Sequence, residues 1–125
     1  MERIELSDES DEDYLEYRVI HKDGSKSFVS LRLSELDETH HMAYQLRGEV
    51  LPMGSRIAEL FLYPHSETSS RRKGVGSRVL DYILEDAADR DIKLVFCEVT
   101  NQVAKSFFHK KLFKGGYNPH CYIVV

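Results

Sequence analysis

Leu60-Phe61-Leu62-Tyr63-Pro64 and, after a polar loop, Arg71-Arg72-Lys73-Gly74-Val75-Gly76-Ser77 set the architecture expected of this chain. Residues 57–63 are mostly apolar and rich in strand formers, and Pro64 ends them because proline cannot donate to a sheet ladder. Past the glycines, Val75, Val79, Leu80, Ile83, Leu84, Ala87 and Ala88 recur at helical spacing as far as Arg90, which predicts a helix with one face for a core. Residues 92–99 (Ile92-Lys93-Leu94-Val95-Phe96-Cys97-Glu98-Val99) read as a second buried strand. Strand, helix and strand in this order predict a right-handed crossover with the two strands parallel.

Working outward, Leu15, Tyr17 and Val19 alternate with Glu16 and Arg18, a strand pattern over residues 14–21. Asp23-Gly24 supplies a hairpin turn into a second strand over residues 26–33. In residues 34–54, Ser34 and Asp37 could cap a helix, yet residues 42–48 alternate as a strand would, and a strand is the reading adopted. Residues 102–112 predict a short helix with Val103, Ala104, Phe107 and Phe108 inward, and residues 121–125 a closing strand. The fold class is α+β, an α/β sandwich with a mixed, mostly antiparallel sheet around a central βαβ crossover. The whole chain, residues 1–125, is expected to form one domain, since 125 residues with 42% hydrophobic positions suffice for one core and not two.

A formal net charge of -4 argues against a nucleic-acid-binding surface as the main role. Charge is also unevenly placed. Residues 1–16 hold Glu2, Glu5, Asp8, Glu9, Asp11, Glu12, Asp13 and Glu16 against Arg3 alone, so residues 1–13 read as a solvated, partly disordered tail. Residues 69–78 hold Arg71, Arg72, Lys73 and Arg78 with no acid. No stretch approaches the ~18 apolar residues a membrane span needs, and no signal segment opens the chain. Cys97 and Cys121 form no C-x-x-C pair, which suits a reducing cytoplasm. The six histidines show no metal-ligand spacing, and no metal is expected.

A glycine-rich loop between a strand and a helix is an anion site, because free backbone N–H groups converge where the helix dipole is positive. Gly74 and Gly76 would let a phosphate approach, with Arg71, Arg72 and Lys73 beside it. A capped helix start with solvated basic residues would read the same way. The spacing excludes both a G-x-G-x-x-G dinucleotide loop, since Val79 stands at the third glycine's place, and a Walker loop.

Arg71-x-x-Gly74-x-Gly76 resembles the [R/Q]-x-x-G-x-[G/A] signature of the GNAT family of N-acetyltransferases, placed, as in that family, after a strand ending in L-F-L-Y-P. Glu98-Val99-Thr100-Asn101-x-x-Ala104-x-x-Phe107 is similar to that family's second block. The resemblance covers residues 55–114. It implies that the backbone of residues 72–77, with Arg72, Lys73, Val75 and Ser77 among them, cradles the pyrophosphate of acetyl-CoA. It implies also that the pantetheine lies between two splayed strands, paired with main-chain groups of Phe61, Leu62 and Tyr63 and supported by Asn101. Asn101 as the cap of the helix starting at residue 102 is an equally good and compatible reading. Acetyl transfer to an amine requires its neutral form, and Glu59, on the strand beside the thioester, stands where a family member places a base. Glu59 paired with an arginine, or facing solvent, is the competing reading.

The chain departs from the family pattern in three places. Phe108 stands where the family has a thiolate-protonating Tyr, and Leu112 where it has Gly, leaving His109 or Tyr117 as substitute acids. The N-terminal half is shortened, with no amphipathic helix pair to build an acceptor pocket. A homodimer is one way to cover the exposed sheet edges. The implied activity is acetyl transfer from acetyl-CoA to a primary amine by direct attack. The alternatives are a non-catalytic coenzyme-binding module on the same fold, or a small anion-binding interaction domain.

Overall fold

The computed structural model describes residues 2–46, 48–63, 74–115 and 120–125, with the Tyr63 side chain excepted. Arg71, Arg72, Lys73 and Tyr117 therefore lie outside the described residues. Strands β1 (Arg3–Leu6), β2 (Tyr14–Ile20), β3 (Lys26–Glu35), β4 (Arg56–Tyr63), β5 (Leu94–Glu98), β6 (Lys114–Gly115) and β7 (His120–Val124) join in one sheet, in the order β1-β2-β3-β4-β5-β7-β6. All neighbours are antiparallel except β4 and β5, which are parallel and linked by helix α1 (Val75–Asp89). Helix α2 (Gln102–Lys110) follows β5. The α+β class and the central crossover are as expected.

Two apolar layers sandwich the sheet. On one face Leu15, Tyr17, Val19, Leu31, Ala58, Leu60, Val95 and Cys97 pack under Val79, Leu80, Ile83 and Ala87 of α1 and Phe108 of α2. Tyr17 also donates its hydroxyl to Asp86 of α1, which ties the helix to β2, and burial with that carboxylate pushes the phenol pKa up. On the other face Ile57, Leu94, Phe96 and Tyr122 are covered by Leu36, Met42 and Leu46 from the connection between β3 and β4. That connection is where the expected strand over residues 42–48 fails. It holds instead a 3-10 turn, His41–Tyr44, started by His40, whose Nδ1 accepts from the backbone N–H of Met42 at 3.2 Å. The apparent alternation arose because Met42 and Leu46 are buried together at the four-residue spacing of a turn.

The acidic start also differs from the tail expected of it. Arg3–Leu6 pairs antiparallel with β2, and the intervening loop is held by Ser7 N–H to Glu16 O at 2.8 Å and Asp11 N–H to Tyr14 O at 2.7 Å. Pairing with a neighbouring strand overrides the like-charge repulsion, and Glu5 finds Arg3 and Arg18 as counterions. In α2 the inward stripe is buried Phe108 with partly buried Ala104 and Phe107, while Val103 is 81% exposed; in α1 Ala88 likewise faces out. Both lie on the flank of a stripe that is narrower than the apolar residues alone suggest.

Candidate functional site

The parallel pairing of β4 and β5 covers only Ile57 with Leu94, Ala58 with Val95 and Glu59 with Phe96. On its other edge β4 stays paired to β3 through Tyr63, opposite Phe28. From Leu60 onward, β4 thus has strand backbone with no partner on the β5 side among the described residues, and β5 likewise runs on to Glu98 with none on that edge. Two parallel strands that part in this way leave a wedge whose walls carry unsatisfied main-chain donors and acceptors, able to accept an extended polar arm as a further strand. Phe61, Leu62 and Tyr63 form the β4 wall.

Helix α1 follows β4 in the chain and begins at Val75. Gly74 takes φ +70° as the N-cap of α1 and, having no side chain, does not itself cap the first N–H groups of the helix. A side chain at Gly74 would be strained by that φ and would meet the Arg78 guanidinium at 3.3 Å. At Gly76 a Cβ would meet only the Phe107 ring, at an ordinary 3.7 Å, so the protein's own packing does not exclude a larger residue there. Its absence keeps the helix end open. Ser77 receives a hydrogen bond from Lys111 Nζ at 2.9 Å, and Lys111 also pairs with Asp81, which pins the end of α2 to the start of α1.

Asn101 is the N-cap of α2, its Oδ1 accepting from Ala104 N–H at 2.8 Å. The capping reading holds, and the amide N–H₂ is left for other use. Phe108 is buried at 4% exposure with its ring against Phe107 and Phe113, so the residue at the family's Tyr position is a core side chain. Leu112, at the family's Gly position, takes φ +71°, the backbone conformation that favours glycine. The His109 Nε2 and the Gly115 carbonyl are 2.6 Å apart, the ring N–H donating, which commits this side chain to closing the turn after α2 and removes it as an acid.

Glu59 is half-buried on the face of the sheet away from the helices, in register with Arg32 of β3 and Phe96 of β5. The arginine partner allowed by the sequence does not take it up: Arg32 places its guanidinium 4.9 Å above the Phe61 ring. Around Phe96 gather three imidazoles that spacing along the chain did not reveal. His40 and His41 stack at 4.5 Å, His41 and His120 lie 4.8 Å apart, and the His120 ring stands edge-on to Phe96 at 5.3 Å. Burial, and then the neighbouring His41, hold the pKa of both His40 and His120 below the ordinary histidine value, while the Glu59 charge acts the other way. No signal in the linear sequence links residues 40, 59 and 120. Among the described residues no three of these side chain types come together as a metal-binding group. A cleft of about 380 Å³ lined by Asp11, Arg56 and Arg90 lies at the far end of β4, away from the wedge.

The Acetyltransferase (GNAT) family matches residues 8–112 of the chain. A search of curated proteins finds no match. Among solved structures, AtaTR bound with acetyl-CoA has 14% identity and a TM-score of 0.59 over 90% of this chain and 70% of that one. AtaT complexed with acetyl-methionyl-tRNAfMet has 12% identity and a TM-score of 0.58 over 90% and 71%. A mutant AtaT toxin bound to the C-terminus of the antitoxin AtaR and acetyl-CoA has 13% identity and a TM-score of 0.56 over 98% and 92%. At these identities the likeness is one of fold.

Proposed function

Since this chain belongs to the GNAT acetyltransferase family, we propose that it moves the acetyl group of acetyl-CoA to a primary amine by direct attack within the wedge between β4 and β5. The observation that carries this reading is the end of β4–β5 pairing at Glu59 and Phe96, one residue before the open edge of β4. Pantetheine pairs with the main chain of Phe61, Leu62 and Tyr63, and the pyrophosphate sits on the N–H groups of residues 72–77, with Arg71 beside them. The Asn101 amide supports the arm. Two of the structural neighbours named above carry acetyl-CoA, which supports the same ligand here.

An alkyl amine with a pKa near ~10 is almost wholly protonated at neutral pH and must lose a proton before it can attack. Glu59 is half-buried on the face of the sheet away from the helices, where it draws a cationic amine and takes its proton directly or through water. Burial of Phe108 leaves no tyrosine there to protonate the thiolate, which leaves as an anion and takes a proton from solvent. Two buried free cysteines support a reducing, cytoplasmic setting, and no described helix is long and apolar enough to cross a membrane.

The buried phenyl ring of Phe108 favours a second reading, that of a domain that binds the coenzyme without turning it over. Calorimetric titration with acetyl-CoA and desulfo-CoA tests the common premise. Binding that disappears in a folded Gly74→Glu, Gly76→Glu variant establishes the cradle, and absence of binding to the wild type removes both readings. Release of free thiol with spermidine, a lysine-containing peptide or methionyl-tRNA then separates enzyme from binding module. The last acceptor is included because one structural neighbour is complexed with an acetylated aminoacyl-tRNA.

A further inference from the structure

The imidazole of His120 has a defined tautomer. Gln45 Nε2 donates to the His120 carbonyl at 2.8 Å, which turns its Oε1 toward His120 Nδ1 at 3.2 Å. An amide oxygen only accepts, so Nδ1 must carry the proton and the Nε2 lone pair is left over. Nε2 has no hydrogen-bond partner among the described residues. His40 is bound differently. Its Nδ1 accepts from Met42 N–H, so taking up a proton there would break the cap of the 3-10 turn. Of half-buried His40 and buried His120, only His120 can act as a base without disturbing the backbone.

Phe96 stands between this imidazole and Glu59, and the Glu59 charge acts on the ring. Phe96 is in register with Glu59 on one side, and its ring meets that of His120 on the other. Groups facing His120 are His40, His41 and Gln45 from the β3–β4 connection, Glu59 from β4 and Glu98 from β5. Glu59 has no hydrogen bond or ion pair to any described residue. Its carboxylate is thus available to a cationic amine, and its charge supports an imidazolium nearby.

We propose that His120 Nε2 is the terminal proton acceptor for an alkylammonium substrate, with Glu59 as the first contact of the ammonium group. This rests on the coenzyme reading above. In the step, an N–H bond of the ammonium breaks, its electron pair stays on nitrogen, and the proton bonds to the His120 Nε2 lone pair, through Glu59 or water. The neutral amine then attacks the thioester carbonyl. The C–S bond breaks and its electron pair leaves with coenzyme A as the thiolate, the amide nitrogen gives up its surplus proton to solvent, the thiolate takes one from solvent, and the imidazolium returns its proton to solvent. An imidazole that stays neutral at physiological pH suits this task, because it is ready to accept and quick to release.

The test compares two small acceptors with acetyl-CoA as donor: n-butylamine, which is cationic near pH 7, and O-methylhydroxylamine, whose nitrogen is already neutral there. His120→Asn should lower kcat for butylamine by about 100-fold and leave transfer to O-methylhydroxylamine and the acetyl-CoA Kd unchanged. Gln45→Glu, which sets a carboxylate against Nδ1–H, should move the acidic limb of the butylamine pH profile upward. Nitrogen-15 NMR of the imidazole should find the proton on Nδ1. An equal loss on both amines, a proton on Nε2, or a wild type that binds acetyl-CoA but acetylates no alkyl amine would overturn the proposal and leave the coenzyme reading standing. Failure of the wild type to bind acetyl-CoA would remove both.

Discussion

Glu59 and Arg32 face each other across β3 and β4, yet the guanidinium sits over Phe61. A cation over an aromatic face is stabilised by the ring quadrupole, and this contact turns the charge away from the carboxylate. Glu59→Gln should therefore keep the fold and cut kcat by about 10²- to 10⁴-fold, with acetyl-CoA affinity retained; an unchanged kcat would remove Glu59 from the chemistry. A second residue tests backbone strain. Leu112 pays for a left-handed conformation while 77% exposed, so it gains little from burial. Leu112→Gly should raise unfolding stability by about 0.5–1 kcal/mol, the αL penalty less the added chain entropy of glycine. Denaturant melts give the answer. The motif alignment flagged position 112 as a departure; only the φ angle shows what the departure costs.

At the level of the element, the start of α2 joins a structural duty to a proposed binding one. Asn101→Ala should cost about 1 kcal/mol of stability through the lost cap and weaken acetyl-CoA binding if the amide holds the pantetheine. Asn101→Asp keeps an oxygen for Ala104 N–H and removes the amide donors, so it should retain stability and still weaken binding. Equal affinity in wild type and Asn101→Asp would confine Asn101 to capping. The helix periods were legible because α1 and α2 bury simple stripes, Val79, Leu80, Ile83 and Ala87 in the first and Phe108 with its flanking residues in the second. The β3–β4 connection was not. Its Met42 and Leu46 fit a turn and a strand equally well, and what selects the turn is the apolar floor of Ile57, Leu94, Phe96 and Tyr122, contributed by strands distant in sequence.

Across the whole molecule, the edge strand β1 is fastened to the cradle helix by charge. Glu2 meets Arg78 through Nε at 2.5 Å and a second contact at 3.1 Å, and that hydrogen-bonded pair holds the Glu2 carboxyl at about 2, down from 4.5. A depressed carboxyl stabilises the folded state above its unfolded pKa and loses that contribution as the pH falls through the folded one. The difference in Tm between wild type and Glu2→Gln should be present near neutrality and close between pH 4.5 and about 2. The histidine cluster adds a term of the same sign in another window. Because the folded pKa values of His40 and His120 lie below 6.5, stability should decline as the pH drops below 6.5, and a His120→Asn variant should show a shallower decline.

Amino-acid order alone determined the crossover, since Pro64, the two glycines and the helical stripe after them are local signals that act through backbone sterics and short-range periodicity. The same order carried the two motif blocks that identify the family. Tertiary structure decided where the sheet parts, because strand pairing beyond Glu59 depends on the path of both strands and not on the composition of either. It drew the acidic start into the sheet, since an edge strand is stabilised by a partner it meets only after folding. And it assembled His40, His41, His120 and Glu59 around Phe96 from three separate parts of the chain, a constellation set by strand register, which residue spacing cannot encode.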